Sequence, residues 1–245
     1  MCCMRRRENP DALCVGVIMA GDVLFCKNTR MASRVLSCGA CSYWTHVAVV
    51  MPMHGTQHSE LIVVDATTNA EMTKDLVWGE AFSGVRALLL AQFVSAMREI
   101  TVVRPSAAIS EEQWMSGLRF MHLTYGMPYD WMSLVRAALR APCPSTRTAF
   151  TCTEFAIRIL AHTGIAPETP GVQSLNAECT TPDALLKALL DSGAMGTHDF
   201  EHTPMVRAGR SSCIPFHTAP RRRGRRPGDY ARLCSVFGYS TLDLL

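Results

Sequence analysis

Thr45 to Met51 (THVAVVM) and Glu60 to Thr67 (ELIVVDAT) are two β-branched runs of strand length. Both are shorter than the roughly 10–12 residues of an ordinary helix, and the loop between them carries Pro52, Gly55 and Ser59. Such a pair predicts an antiparallel hairpin, around which the rest of the chain must pack. Each run also holds one ionisable side chain among apolar ones, His46 in the first and Asp65 in the second. A hairpin symmetric about Gly55-Thr56 places His46 opposite Asp65. Because side chains alternate with period two, His46, Ala48 and Val50 then share a face with Leu61, Val63 and Asp65. Two readings follow: a core histidine satisfied by a carboxylate, or a base oriented by an acid. A slip of one residue would send the two to opposite faces.

The other elements are shorter or less clear. Gly21-Asp22 turns into a strand at Val23-Leu24-Phe25, and a Ser/Cys/Gly-rich loop covers Ser33 to Ser42. Asp75 to Met97 leans helical with a break at Gly84, and Ile100 to Val103 reads as a strand stopped by Pro105. Ser110 opens a helix, with Gln113 completing a capping box and Trp114, Leu118 and Met121 at helical spacing. Tyr125 to Trp131 is a turn-rich aromatic segment, and Ala141 to Thr148 a loop. Thr151 opens a helix to about Thr163, and Thr181-Pro182 opens another to Asp191, with proline at the first helical position.

The nucleophile candidate is Cys152. In Thr151-Cys152-Thr153-Glu154, the Ser/Thr-x-x-Asp/Glu pattern makes Thr151 the cap and Cys152 the first helical residue. A thiol there sits at the positive end of the helix dipole beside unsatisfied N–H groups, which favour the thiolate and are suited to holding an oxyanion. The alternative is a small buried hydrophobe at a helix start. A thiolate nucleophile needs a base, and His46 with Asp65 is the arrangement that would supply one.

Several function classes drop out. The longest apolar stretch, Val85 to Met97, is interrupted by Arg86 and Gln92 and falls short of the roughly 20 residues a bilayer span needs. No glycine loop for phosphate and no dinucleotide fingerprint is present, so no cofactor is expected. His54 with His58, His198 with His202, and Cys38 with Cys41 each lack a second pair at metal-ligand spacing, and no metal is expected either. The net charge of +3 comes from eight Arg against one acid between Arg207 and Arg232; the remainder is net acidic. The Arg221–Arg226 run has no interleaved aromatics, which leaves a nucleic-acid partner resting on that run alone. Eleven unevenly scattered cysteines point to a reducing, cytoplasmic setting with mostly free thiols. Cys2-Cys3 beside Arg5-Arg6-Arg7, together with the second basic cluster, would suit peripheral contact with an anionic membrane.

Taken in order, these motifs resemble the permuted papain-like amidases, the branch of the NlpC-type thiol hydrolases whose rearranged chain puts the histidine before the cysteine. The matching segments are Gly21-Asp22-Val23-Leu24-Phe25, Thr45-His46-Val47-Ala48-Val49-Val50, Val63-Val64-Asp65-Ala66, Tyr125-Gly126-Met127-Pro128-Tyr129-Asp130, Phe150-Thr151-Cys152-Thr153-Glu154-Phe155 and Thr181-Pro182-Asp183. The resemblance implies an α+β domain over residues 15–195, with a small antiparallel sheet packed against helices. A lead-in, 1–14, would precede it and a basic, mostly disordered tail, 196–245, would follow. It also implies Cys152 as nucleophile, His46 as base and Asp65 as orienting residue. The expected activity is thiol hydrolysis of a peptide or lipid-linked amide, or of an ester. Asp65 stands where such proteins often carry Glu. The lecithin:retinol acyltransferases share the permuted order, and Cys152-Thr153-Glu154-Phe155 is loosely similar to their cysteine motif, but their third residue is usually His. An acyltransferase of that kind, or an adaptor that keeps the fold without the chemistry, is the alternative.

Overall fold

The computed structural model describes residues 18–27, 42–53, 60–68, 73–138, 148–165, 172, 175–177, 179–193 and 195–198. Six strands form one sheet: β1 (Val23–Lys27), β2 (His46–Pro52), β3 (Leu61–Thr67), β4 (Gly84–Leu89), β5 (Glu99–Pro105) and β6 (Met195–His198). The spatial order is β4-β3-β2-β1-β5-β6, and every neighbouring pair is antiparallel. Among the described residues, five helices are set around it: α1 (Leu90–Ala96), α2 (Glu111–Thr124), α3 (Trp131–Ala138), α4 (Cys152–His162) and α5 (Pro182–Asp191). The chain is thus α+β, an antiparallel sheet packed against helices.

The two β-branched runs pair as a hairpin, but in a register two residues away from the symmetric one. Val49 faces Val64 and Val50 faces Val63, so continuing the ladder would set Asp65 opposite Ala48, not His46. An even shift leaves faces unchanged, and His46 and Asp65 still share one. Strand β2 is buried along its whole length because both faces of the sheet are covered. One alternation, with Phe25, Val47, Val49, Val64 and Ala87, packs beneath Phe155, Ile159 and Leu160 of α4 and Trp114 and Leu118 of α2. The other, with Leu24, Ala48, Val50, Val63 and Leu88, packs against Phe93 of α1. His46 and Asp65 belong to this second alternation.

The segment from Asp75 to Met97 departs from its helical expectation. Residues 84–89 are strand β4, and only Leu90–Ala96 are helical. Val-Arg-Ala-Leu-Leu-Leu satisfies either period, and burial between β3 and a neighbouring turn decides for strand. Gly84 is the start of that strand. Its φ of 141° and the Met127 carbonyl pressed against it leave no room for a Cβ. Strand β6, beyond the expected loss of pattern, adds to the free side of β5.

The capping signals hold. Ser110 and Gln113 form a reciprocal box at α2, and Thr181 accepts from Ala184 at the start of α5. Within the aromatic turn, Asp130 accepts from the N–H and hydroxyl of Ser133 and so begins α3, a helix not expected from the sequence. In the Gly21-Asp22 turn the buried Asp22 carboxylate accepts from Arg104 Nε at 2.7 Å and from one terminal guanidinium nitrogen at 2.8 Å, and locks β1 to β5. Among the described cysteines, Cys26 and Cys152 are free thiols, while Cys179 is disulfide-bonded, an exception to the expected free thiols. Cys2, Cys3, Cys38, Cys41, His54, His58, His202 and the Arg221–Arg226 run lie outside the described residues. No helix among the described residues is long and apolar enough to cross a membrane.

Candidate active site

Pairing between β2 and β3 runs only from Val49–Val64 to Pro52–Leu61. Toward His46 the ladder stops, and the Val47 N–H lies near enough to the Cys152 sulfur to favour its thiolate. Helix α4 packs its length on the opposite alternation from His46, so the meeting is made by its first residue, which reaches the end of β2. Thr151 sets that first turn by accepting the Glu154 N–H at 3.1 Å, as its position in the sequence predicts.

All three expected residues come together. The Cys152 thiol lies close enough to the His46 ring for each to shift the other's pKa, and His46 Nε2 lies 2.8 Å from Asp65 Oδ2. With Nε2 committed to the carboxylate, Nδ1 is the nitrogen available to the thiol. Asp65 is wholly buried, and His46 and Cys152 nearly so. Phe93 closes over the imidazole, its ring centroid 6.1 Å away. The segment leading into β2 is held from a distance: Asp183 accepts the N–H groups of Tyr43 at 2.6 Å and Trp44 at 2.9 Å. Trp44 is a core residue, whereas Tyr43 is exposed, with Lys27 over its ring and its hydroxyl on Glu99.

Two residues that sequence reasoning gave no role complete the cluster. Arg86 is the direct cross-strand partner of Asp65 and is fully buried. Its Nε donates to Asp65 Oδ1 at 3.0 Å, one terminal nitrogen lies 3.5 Å from Oδ2, and the other is 3.4 Å from the Thr73 carbonyl. The available signal was a lone arginine in an apolar run, the same kind of signal that marked His46 and Asp65. The second is Tyr129, held beside the helix start by a bridge to Phe150, with Asp130 N–H donating to the Phe150 carbonyl at 2.9 Å. Its hydroxyl donates to the Cys152 sulfur at 4.0 Å.

The electrostatics favour an ion pair. Burial pushes the Cys152 thiol up, but the His46 hydrogen bond and charge, the Val47 N–H and the Thr153 hydroxyl together leave it below its ordinary value. Burial pulls His46 down, and the bonds and charges of Asp65 and Cys152 reverse that, raising it to about 9. Burial likewise opposes ionisation of Asp65, yet the Arg86 charge and the His46 bond hold it below the usual carboxylate range. Burial, Cys152 and the carboxylate of Asp130 keep Tyr129 a phenol, its pKa well above the ordinary value. Cys26, next to His46 across the sheet, stays a thiol because burial and the neighbouring Asp65 and Cys152 charges all raise it. Thiolate, imidazolium, carboxylate and guanidinium then sum to zero charge in a largely buried site, which favours burying the four ions together.

Among the described residues, no group of three or more His, Cys, Asp or Glu side chains is placed to hold a metal ion. No protein-family model matches the chain, and no curated protein does. Among solved structures it is similar to the crystal structure of the metalloprotein yiiX from Escherichia coli O157:H7, described as DUF1105. The identity is 15% and the TM-score 0.49, over 76% of this chain and 98% of that one.

Proposed function

We propose that this protein is a thiol hydrolase of the permuted papain-like type, acting on an amide or ester through a cysteine acyl-enzyme. The observation that supports this best is the buried Cys152–His46–Asp65 constellation at a capped helix start, with a lowered thiol beside a raised imidazole. The Cys152 thiolate attacks the carbonyl carbon, and the bond to the oxygen opens to an oxyanion steadied by the Cys152 N–H and the Tyr129 hydroxyl. Collapse expels the amine or alcohol, which takes the imidazolium proton, and leaves a thioester. Neutral His46 then removes a proton from water as it attacks the thioester, and the acid leaves with the thiolate restored. Asp65 holds Nε2 throughout and keeps Nδ1 toward sulfur.

The substrate is an amide or ester conjugate of a peptide or lipid. The setting is cytoplasmic, with the Cys179 disulfide an exception to its mostly free thiols and basic termini suited to touching an anionic membrane. Activity-based probes carrying peptide or lipid-amide recognition groups test the reading on wild type and on Cys152→Ala and His46→Ala. Labelling of Cys152 that is lost in His46→Ala supports the hydrolase. Indifferent alkylation of every exposed thiol, with no turnover of any probe, would sink it and leave an adaptor.

A further inference from the structure

We propose that Arg86 is a positioning residue: it fixes the Asp65 carboxylate for His46 and supplies the positive charge that lets Cys152 and His46 ionise while buried. This rests on the thiol-hydrolase reading above and extends it to a residue in contact with neither the thiol nor a substrate. The geometry carries it. Arg86 is the cross-strand partner of Asp65, and its guanidinium engages both carboxylate oxygens, at 3.0 and 3.5 Å. That grip leaves Oδ2 turned to His46 Nε2 at 2.8 Å. The far end of the guanidinium is anchored on the Thr73 carbonyl, in a stretch that Asp75 ties to β4 by accepting the Ala87 N–H at 3.1 Å. Arginine is suited to this place because its planar fork meets two oxygens at once and does not lose its charge when buried.

Charge counting shows what Arg86 does for a thiol it does not touch. Among the described residues, the ionisable groups facing the site are Cys26 from β1, His46 from β2, Asp65 from β3, Arg86 from β4, Cys152 from α4, and Tyr129 with Asp130 from the turn before α3. Phe93 of α1 adds no charge. With Cys26 and Tyr129 protonated, and Asp130 set apart by the Ser133 N–H and hydroxyl it accepts, the Cys152–His46–Asp65–Arg86 group is balanced as a thiolate–imidazolium pair only while Arg86 offsets Asp65. Without Arg86, forming the thiolate leaves Cys152, His46 and Asp65 together at −1, which a low-dielectric site opposes.

The test is the pH dependence of Cys152 alkylation by iodoacetamide in the full chain, read by peptide mapping so that other thiols do not contribute. Arg86→Gln keeps a hydrogen-bond donor but no charge. The expected result is an inflection about one pH unit higher, or roughly tenfold less labelling on the rising limb. Arg86→Lys, which keeps the charge, should stay near wild type. An Arg86→Gln inflection equal to wild type overturns the proposal, as does Arg86→Lys displaced as far as Arg86→Gln. Should Arg86→Gln not fold, Asp65→Asn/Arg86→Gln is compared with Asp65→Asn. The double variant should have the higher inflection, and equality overturns the proposal. A wild-type inflection at the ordinary thiol value strikes the hydrolase reading instead, so the two failures are told apart.

Discussion

At the scale of single residues, the site depends on two opposed shifts that each invert the effect of burial. His46, raised from 6.5 to about 9, gives stability that is fully present below pH 6.5 and lost as pH rises through about 9. The stability difference between wild type and His46→Ala in urea melts should therefore shrink across that window. On the thiol-hydrolase reading the same proton serves the leaving group, so kcat/KM for a turned-over probe should fall along an alkaline limb near pH 9. The rising limb should lie below the ordinary thiol range, the two limbs belonging to the coupled pair. Asp65→Asn removes the charge that raises His46 and leaves Arg86 buried without its carboxylate. Its alkaline limb should move to lower pH, its rate should fall by about 10²-fold or more, and its unfolding free energy should drop by about 3–5 kcal/mol. An unmoved limb in the pH profile would show that Asp65 does not act on His46.

At the scale of elements, the cysteine is placed by a helix cap, and a cap can be weakened without touching the chemistry. Thr151→Ala should cost about 1 kcal/mol in chemical denaturation. It should also slow Cys152 labelling, because the first turn of α4 carries both the sulfur and the N–H beside it. Ser110→Ala at the head of α2 removes an equivalent cap and should cost a similar amount. Its labelling rate should stay at the wild-type value. Equal labelling in the two variants would mean that cap geometry does not tune the thiol. The bridge between Tyr129 and Phe150 plays a parallel part, joining the aromatic turn to the residue just before the cap.

At the scale of the whole molecule, the site is the product of a sheet covered on both sides. Helices α2 and α4 are fitted closely over one face: a Cβ on Gly117 would come within 2.5 Å of Thr163 Cγ2 and 3.1 Å of Met51 Cε. Gly117→Ala should therefore cost about 1–3 kcal/mol by overpacking. Phe155→Ala, at the centre of the same layer, should cost about 3–5 kcal/mol. Thermal melts check both. Gly117→Ala, distant from the sulfur, should leave the pH inflection of Cys152 labelling where it is. A displaced inflection would show that helix packing sets the thiol as well as the fold.

What the sequence determined by itself is what depends on near neighbours in the chain. Thr151 before Cys152, Ser110 before Gln113 and Thr181 before Pro182 mark helix starts, because capping is decided within four residues. His46 and Asp65 share a face because alternation survives any even slip of register, and the actual slip is two. The cross-strand partner was beyond reach for the opposite reason. Which residue faces Asp65 depends on how β4 docks after a long connection, and Val-Arg-Ala-Leu-Leu-Leu suits a strand or a helix equally well. In the sequence Arg86 interrupts an apolar run; in the fold it is the counter-charge of a buried carboxylate. The end of β2–β3 pairing before Val47 and the placing of Tyr129 beside Cys152 likewise come from distant segments meeting. Local rules named the thiol, the imidazole and the carboxylate, and only tertiary packing decided the charges and donors around them.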